Sequence, residues 1–217
     1  MRVNTDGVLL GAWCPVDGAR RVLDVGTGCG VIALQVAQRN AEATVMGIDI
    51  DEGAVTDAKQ NFAASPWANR LEAKLADFNE WDDNGEPFDL IVTNPPYFAN
   101  GILPAEHSRS MARHGVTLSY AQLIAGAKRL LCPNGQLAMV TPTDAQHEVV
   151  EQCAWAGMSI AQLTEVCTLS GAPPKRLLWM ISKAQCVLQR SQLAIENANH
   201  TPTAEYLALC RDFYLRM

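Results

Sequence analysis

What the chain lacks narrows its chemistry first. Its seven cysteines (Cys14, Cys29, Cys132, Cys153, Cys167, Cys186 and Cys210) contain no Cys-x-x-Cys pair. Its four histidines (His107, His114, His147 and His200) cluster with neither the cysteines nor carboxylates at metal-ligand spacing. Reduced thiols, a cytoplasmic setting and no metal are therefore expected. No apolar run approaches the roughly 20 residues of a membrane helix, and no basic-then-apolar pattern opens the chain, which points away from membrane and export. Positive charge is also scarce: 17 Lys and Arg against 23 Asp and Glu leave a net charge of −6. That balance argues against sequence-blind nucleic-acid binding, whose affinity comes from many phosphate contacts, but leaves room for a small basic patch. Internal repeats, low-complexity tracts and linkers are absent too, so residues 1–217 are expected to form one domain, and with no obvious exposed apolar helix, a monomer.

What is present is an alternation of strand-like and helix-like blocks. "RRVLDVG", "ATVMGIDI", "LEAKLAD", "FDLIVTN" and "QLAMVTP" are short apolar runs. Between them lie the helical "GVIALQVAQRN", "EGAVTDAKQNFAASP" and "SYAQLIAGAKRLL", with a turn expected at "CPNG", residues 132–135. This is the pattern of βαβ units and a parallel sheet covered on both faces. A helix over "DAQHEVVEQCAWAG" then leads to two runs, "MSIAQLTEVCTL" and "RLLWMISKA", joined by "SGAPPK" and read as an antiparallel hairpin. A last helix over "TAEYLALCRDFYLRM" has Thr201 or Thr203 as its cap. The opening "MRVNTDGVLLGAW" is patterned from its start, without a polar lead-in or an evident cap.

Two stretches carry chemistry. In "LDVGTGCGVIAL", Gly26, Gly28 and Gly30 lie between a strand and a helix, where missing side chains let the backbone approach a ligand. The G-x-G-x-G spacing departs from the dinucleotide G-x-G-x-x-G. Asp24, two residues before the first glycine, would repel a pyrophosphate but suits a cationic amine such as the methionyl end of S-adenosylmethionine. Asp49, 25 positions after Asp24, falls where a carboxylate would accept from a ribose diol. Asp51 reads as a helix cap. Asp77 suits an adenine amine, with Phe78 packing on the ring. Each alone equally suits an ordinary strand end; three on one rim suit a ligand, because open α/β sheets bind outside the carboxyl ends of their strands.

The second stretch is "FDLIVTNPPYFAN". Pro95 and Pro96 fix φ and remove two N–H donors, so the turn offers carbonyls as unopposed acceptors, and Asn94 adds a side-chain carbonyl. Accepting both hydrogens of a planar amine draws its nitrogen from sp² toward sp³ and localises the lone pair. Tyr97 stacks on the planar group. A rigid turn capping a strand beside a surface Tyr is the alternative reading of the tetrapeptide by itself.

On these motifs the chain resembles the class I S-adenosylmethionine-dependent methyltransferases of the amino-methylating NPPY group, and more closely the bacterial tRNA(Val) adenine-N6 methyltransferases. The resemblance covers nearly the whole chain, through "TDGVLLGAW", "DVGTGCG", "NFAASPWANRL", "FDLIVTNPPYF", "ARH" at 112–114, "PPKRLLW" and "EYLALCRDFYL". It implies a Rossmann-like α/β fold with a mostly parallel seven-stranded sheet and an antiparallel C-terminal hairpin, with S-adenosyl-L-methionine as cofactor. It implies further that Thr5, Asp6, Asp24, Gly26, Gly28, Gly30, Asp49, Ile50, Asp77, Phe78 and Asn94 bind the cofactor. Asn94, Pro95, Pro96 and Tyr97 would be catalytic. Tyr97, Arg113, His114, Lys175 and Arg176 would meet a tRNA anticodon loop at adenine 37. The four basic residues equally suit a solvated positive edge. Members of the group carry a further aromatic and basic segment ahead of the position of Met1. The chain is thus expected to be a truncated or alternatively started form, with weaker RNA binding.

Rival acceptors share the turn chemistry. A release-factor glutamine amide needs the same acceptors, but those enzymes place a helical recognition domain before the glycine strand. DNA adenine methylation lacks its target-recognition domain here, and ribosomal guanine methylation favours Phe and His where this chain has Tyr97 and Phe98. A cofactor-binding RNA module without turnover is the non-enzymatic alternative.

Overall fold

The computed structural model describes residues 4–82, 85–95 and 118–214. Helix α1 (Thr5–Trp13) precedes strand β1 (Arg21–Val25), helix α2 (Val31–Arg39), strand β2 (Thr44–Asp49), helix α3 (Glu52–Ala63) and strands β3 (Leu71–Leu75) and β4 (Phe88–Thr93). Helix α4 (Tyr120–Leu130), strand β5 (Leu131–Pro142), helix α5 (Gln146–Ala156), strands β6 (Ser159–Leu169), β7 (Arg176–Ser182) and β8 (Gln189–Glu196), and helix α6 (Ala204–Cys210) complete it.

The strands form one sheet in the order β3-β2-β1-β4-β5-β7-β6-β8. Pairing is parallel from β3 through β5, antiparallel on both sides of β7, and parallel again between β6 and β8. The apolar runs are near-continuous because alternate residues enter two cores. Val22, Leu90, Val92, Ala138 and Val140 join α1, α2, α3 and α6 on one face. Leu23, Ile91, Leu137 and Met139 join α4 and α5 on the other. After β1 the chain builds outward to β3 on one side and then crosses to β4 on the other. The carboxyl ends of β1 and β4 therefore flank the crevice where strand order reverses.

Two local expectations hold: Asp51 caps α3 by accepting from the Gly53 amide, and Thr203, of the two threonines, caps α6. On α4, Ser119 with Gln122 forms a capping box that the sequence reading did not name. Others are corrected. The sheet has eight strands, not seven: β8 buries only Leu193 and so offers no apolar run to read. Residues 132–135 do not break the chain before β5. They lie inside it as an irregularity, between the Phe88↔Leu131 and Leu90↔Gln136 pairs. Helix α1 does have a cap, because the Asn4 Oδ1 accepts from the Gly7 amide at 2.7 Å.

Candidate active site

The glycine turn leaves β1 by crossing over the end of β2, where the Gly26 and Thr27 amides both donate to the Ile48 carbonyl, at 2.9 and 3.0 Å. Gly26 has φ +69° and nothing within 4 Å of where a Cβ would stand, so its open face lies at the rim. Gly28 has φ +56° and donates its amide to the Asp49 Oδ2 at 2.9 Å. Gly30 answers to a different need. It caps α2 at φ +83°, and a Cβ there would meet the Phe62 ring at 2.3 Å, so its glycine serves helix packing rather than a ligand. Gly30→Ala is expected to cost about 2–4 kcal/mol of stability from strain and overpacking. Urea unfolding measures this, with partial recovery expected from Phe62→Leu in the same chain; a cost near zero would remove the packing account.

Asp24 is 1% exposed. Its Oδ2 accepts from the Thr27 hydroxyl at 2.7 Å and the Ala33 amide at 3.2 Å, tying the turn to α2. Its Oδ1 has no partner among the described residues. Burial pushes the carboxyl up to about 7, against the pull of those two hydrogen bonds, and the neighbouring Asp49 charge adds slightly. A buried, half-satisfied carboxylate is costly unless a cation completes it. Thr27, which sequence reading passed over, closes onto Asp24 because Gly47 beneath it has no side chain: a Cβ at Gly47 would meet the Thr27 Oγ1 at 2.7 Å.

Asp49, half-buried beside Ile50, accepts from Gly28 and also from the Asp51 amide at 3.0 Å, and burial raises its pKa. Its backbone carbonyl accepts from Ala76, which brings the β3 exit alongside. There Asp77 accepts from the backbone and side chain of Asn79, at 2.9 and 3.0 Å. Phe78 departs from expectation. Its ring is 3% exposed and stands 2.4 Å from where a Cβ on Gly126 of α4 would be, so it fills the core under the rim instead of lying against a ligand.

β4 ends beside this turn. The Thr93 hydroxyl donates to the Val25 carbonyl at 2.9 Å, so the ends of β1 and β4 are fastened together. Next, Asn94 is half-buried and donates its Nδ2 to the Asn4 Oδ1 at 3.3 Å, and Pro95 is buried. Pro96, Tyr97, Arg113 and His114 lie outside the described residues. Thr5 is exposed at the first turn of α1. Asp6 pairs with Arg176 at 2.9 Å, so the guanidinium is engaged within the protein and not simply a solvated edge, whereas Lys175 is exposed. The missed participant here is Asn4; an Asn standing directly before the helical run Thr5–Trp13 is a readable cap signal.

The open face of Gly26, the unmatched Oδ1 of Asp24 and two acidic strand ends make a cradle that fits a cationic, ribose-bearing group. Two concavities of about 430 and 340 Å³ lie elsewhere, lined by residues such as Arg21, Thr44 and Arg70, or Lys59 and Ala68, and neither reaches this rim. All seven cysteines are free. Among the described residues no His/Cys/Asp/Glu group could hold a metal, and no helix is long and apolar enough to cross a membrane.

A crevice of this kind, at the reversal point of a mostly parallel sheet, is where Rossmann-like folds hold their ligands, and the family the chain matches makes it an S-adenosylmethionine-dependent methyltransferase. The chain belongs to the methyltransferase small domain family, whose model matches residues 7–154. A Bacteroides fragilis protein named tRNA1(Val) (adenine(37)-N6)-methyltransferase is 40% identical over 219 residues, covering 100% of this chain and 92% of its own. An Aeromonas hydrophila protein of the same name is 38% identical with the same coverage. Among solved structures, a predicted O-methyltransferase from Agrobacterium tumefaciens superposes with a TM-score of 0.76 at 20% identity, over 95% of this chain and 96% of that one. That likeness speaks for the fold.

Proposed function

We propose that the chain transfers a methyl group from S-adenosylmethionine to the exocyclic N6 of an adenine in tRNA, at position 37 of tRNA1(Val). The observation that carries this reading is the placement of Asn94 at the end of β4, next to the glycine turn, in a chain 40% identical along its length to proteins of that name. When bound, the cofactor supplies a methyl group on a cationic sulfur. Asp24, Gly26, Gly28, Asp49 and Asp77 are the residues that would hold it, with Thr5 and Asp6 beside them. The Cβ side of Gly30 and the Phe78 ring are taken up by packing, against Phe62 and Gly126.

The side-chain oxygen of Asn94 and a carbonyl of the proline turn accept the two amine hydrogens. The nitrogen lone pair is thereby localised, and the N6 proton lost on methylation passes to water. No strong base is needed, because the work is positioning and charge complementarity. Tyr97 is assigned the stacking role. The net charge of −6 is compatible with this substrate, since an anticodon-loop adenine is unpaired and cheap to extrude.

Labelled cofactor offered with total tRNA, release factor or duplex DNA, each in turn, tests the reading: label is expected in tRNA, and label in the release factor alone would transfer the assignment to a glutamine amide. Asp49→Ala is expected to weaken cofactor binding by roughly 1–3 kcal/mol, through loss of charged hydrogen bonds. Calorimetry measures it; unchanged affinity would take Asp49 out of the pocket.

A further inference from the structure

The first turn of α1 is held from two directions. On one side the Arg176 Nε donates to the Asp6 Oδ2 at 2.9 Å, across 170 positions of sequence, with the two side chains 35% and 18% exposed. Arg176 opens β7, where it is paired with Pro142 of β5 and Val166 of β6, and its Nη1 donates to the Lys175 carbonyl at 3.0 Å. The guanidinium is therefore fixed to the sheet at the carboxyl end of β5. On the other side, the Asn4 Oδ1 accepts from the Gly7 amide at 2.7 Å and from the Asn94 Nδ2 at 3.3 Å.

The second arrangement has a chemical consequence. An amide N–H from Gly7 can be received only by an oxygen, so the cap fixes which end of the Asn4 side chain faces it. Asn94 must then meet that same oxygen with its NH₂, which leaves its own oxygen on the other branch of the amide. An acceptor of substrate hydrogens needs that oxygen not to be the atom turned toward Asn4. The body of α1 cannot wander, because Gly7 to Ala12 are all buried. Residues 4–6 are the exposed or half-exposed end, where helices fray.

We propose that Arg176 is a positioning residue for methyl transfer: by anchoring Asp6 it keeps the first turn of α1 wound, and that turn holds the Asn94 amide in its accepting orientation. This rests on the reading of Asn94 given above. It also replaces a tRNA contact at Arg176 with a role inside the protein.

Arg176→Gln and Arg176→Lys, compared in the full chain, test it. With Gln, kcat is expected to fall about tenfold while KM for tRNA and the salt dependence of tRNA binding stay within about twofold. Hydrogen exchange at the Gly7 and Val8 amides, measured without RNA, is expected to accelerate about tenfold or more. Lys, which retains the cation, is expected to restore most of the protection and most of kcat. A raised KM for tRNA and a salt slope reduced by about one, with kcat and exchange unchanged, would overturn the proposal in favour of a phosphate contact. Unchanged exchange at Gly7 overturns it whatever the RNA assay gives. Faster exchange together with full transfer by Asn94→Ala would sink the catalytic amide and keep the anchor.

Discussion

Asn94→Ala is expected to lower the single-turnover rate of methyl transfer at least ~10²-fold, which corresponds to about 2.7 kcal/mol of lost transition-state stabilisation. Cofactor affinity should stay within about threefold. The asymmetry follows from position: Asn94 stands at the end of β4, while the carboxylates assigned to the cofactor stand at the ends of β1, β2 and β3. An acceptor that engages the amine most strongly as the lone pair localises contributes in the transition state and little in the ground state. The substitution also removes the donor to Asn4, but Gly7 still holds that oxygen at 2.7 Å, so α1 keeps its cap. Quenched-flow measurement with labelled cofactor reads the chemical step. Transfer at the unsubstituted rate would remove Asn94 from the mechanism.

Asp24→Asn is expected to act in opposite directions on stability and on binding. Burial raises the folded carboxyl from 3.8 to about 7. Between those values the folded protein keeps a proton that the unfolded chain has released, so this group makes the ligand-free protein less stable as pH rises from about 4 to 7. Above that window the charged form is buried with one oxygen unmatched, and its cost is at its fullest. An asparagine keeps an oxygen for Thr27 and Ala33 and carries no charge. It should therefore raise stability at pH 8 by on the order of 1–4 kcal/mol relative to the unsubstituted protein. At pH 4 the gain should vanish. Cofactor affinity should fall at least tenfold, since the cation loses its counter-charge. Urea unfolding at several pH values, with calorimetry at pH 8, measures both; a stability difference independent of pH would mean that Asp24 is charged throughout or not buried as described.

How far the sequence disclosed this arrangement depended on whether one stretch carried its own signal. β1, β2, β4 and β5 announced themselves because strands covered on both faces must be apolar along most of their length. The edge strand β8 buries a single residue, so nothing in "QRSQLAIE" distinguishes it from a loop, and the sheet was one strand short. The glycine turn was readable as a turn, but its three glycines were not equivalent. Gly26 faces open space and Gly30 faces Phe62, a residue 32 positions later, and no local pattern shows that difference. Phe78 was misplaced for the same reason. Beside a strand-end Asp it suggested a wall for an adenine, and only the approach of Gly126 from α4 reveals where the ring goes. Arg176 was legible as basic, and its partner Asp6 as acidic, but a pairing across 170 positions is tertiary information. Asn4 was a plain oversight: the residue type and spacing of a helix cap were both present.

The bond from the Thr93 hydroxyl to the Val25 carbonyl has a bearing on how such an enzyme can be selective. It rivets two adjacent strands of one ladder, β1 leading to the proposed donor side and β4 to the proposed acceptor side. On that reading the spacing between the Asp24 and Asn94 strand ends is a dimension of the sheet, set during folding. A wrong substrate would then not be rejected by widening that spacing, as it is in enzymes that close two lobes around their substrates. Discrimination has to be exercised by whatever decides which nitrogen reaches the rim, leaving the spacing itself a constant of the fold.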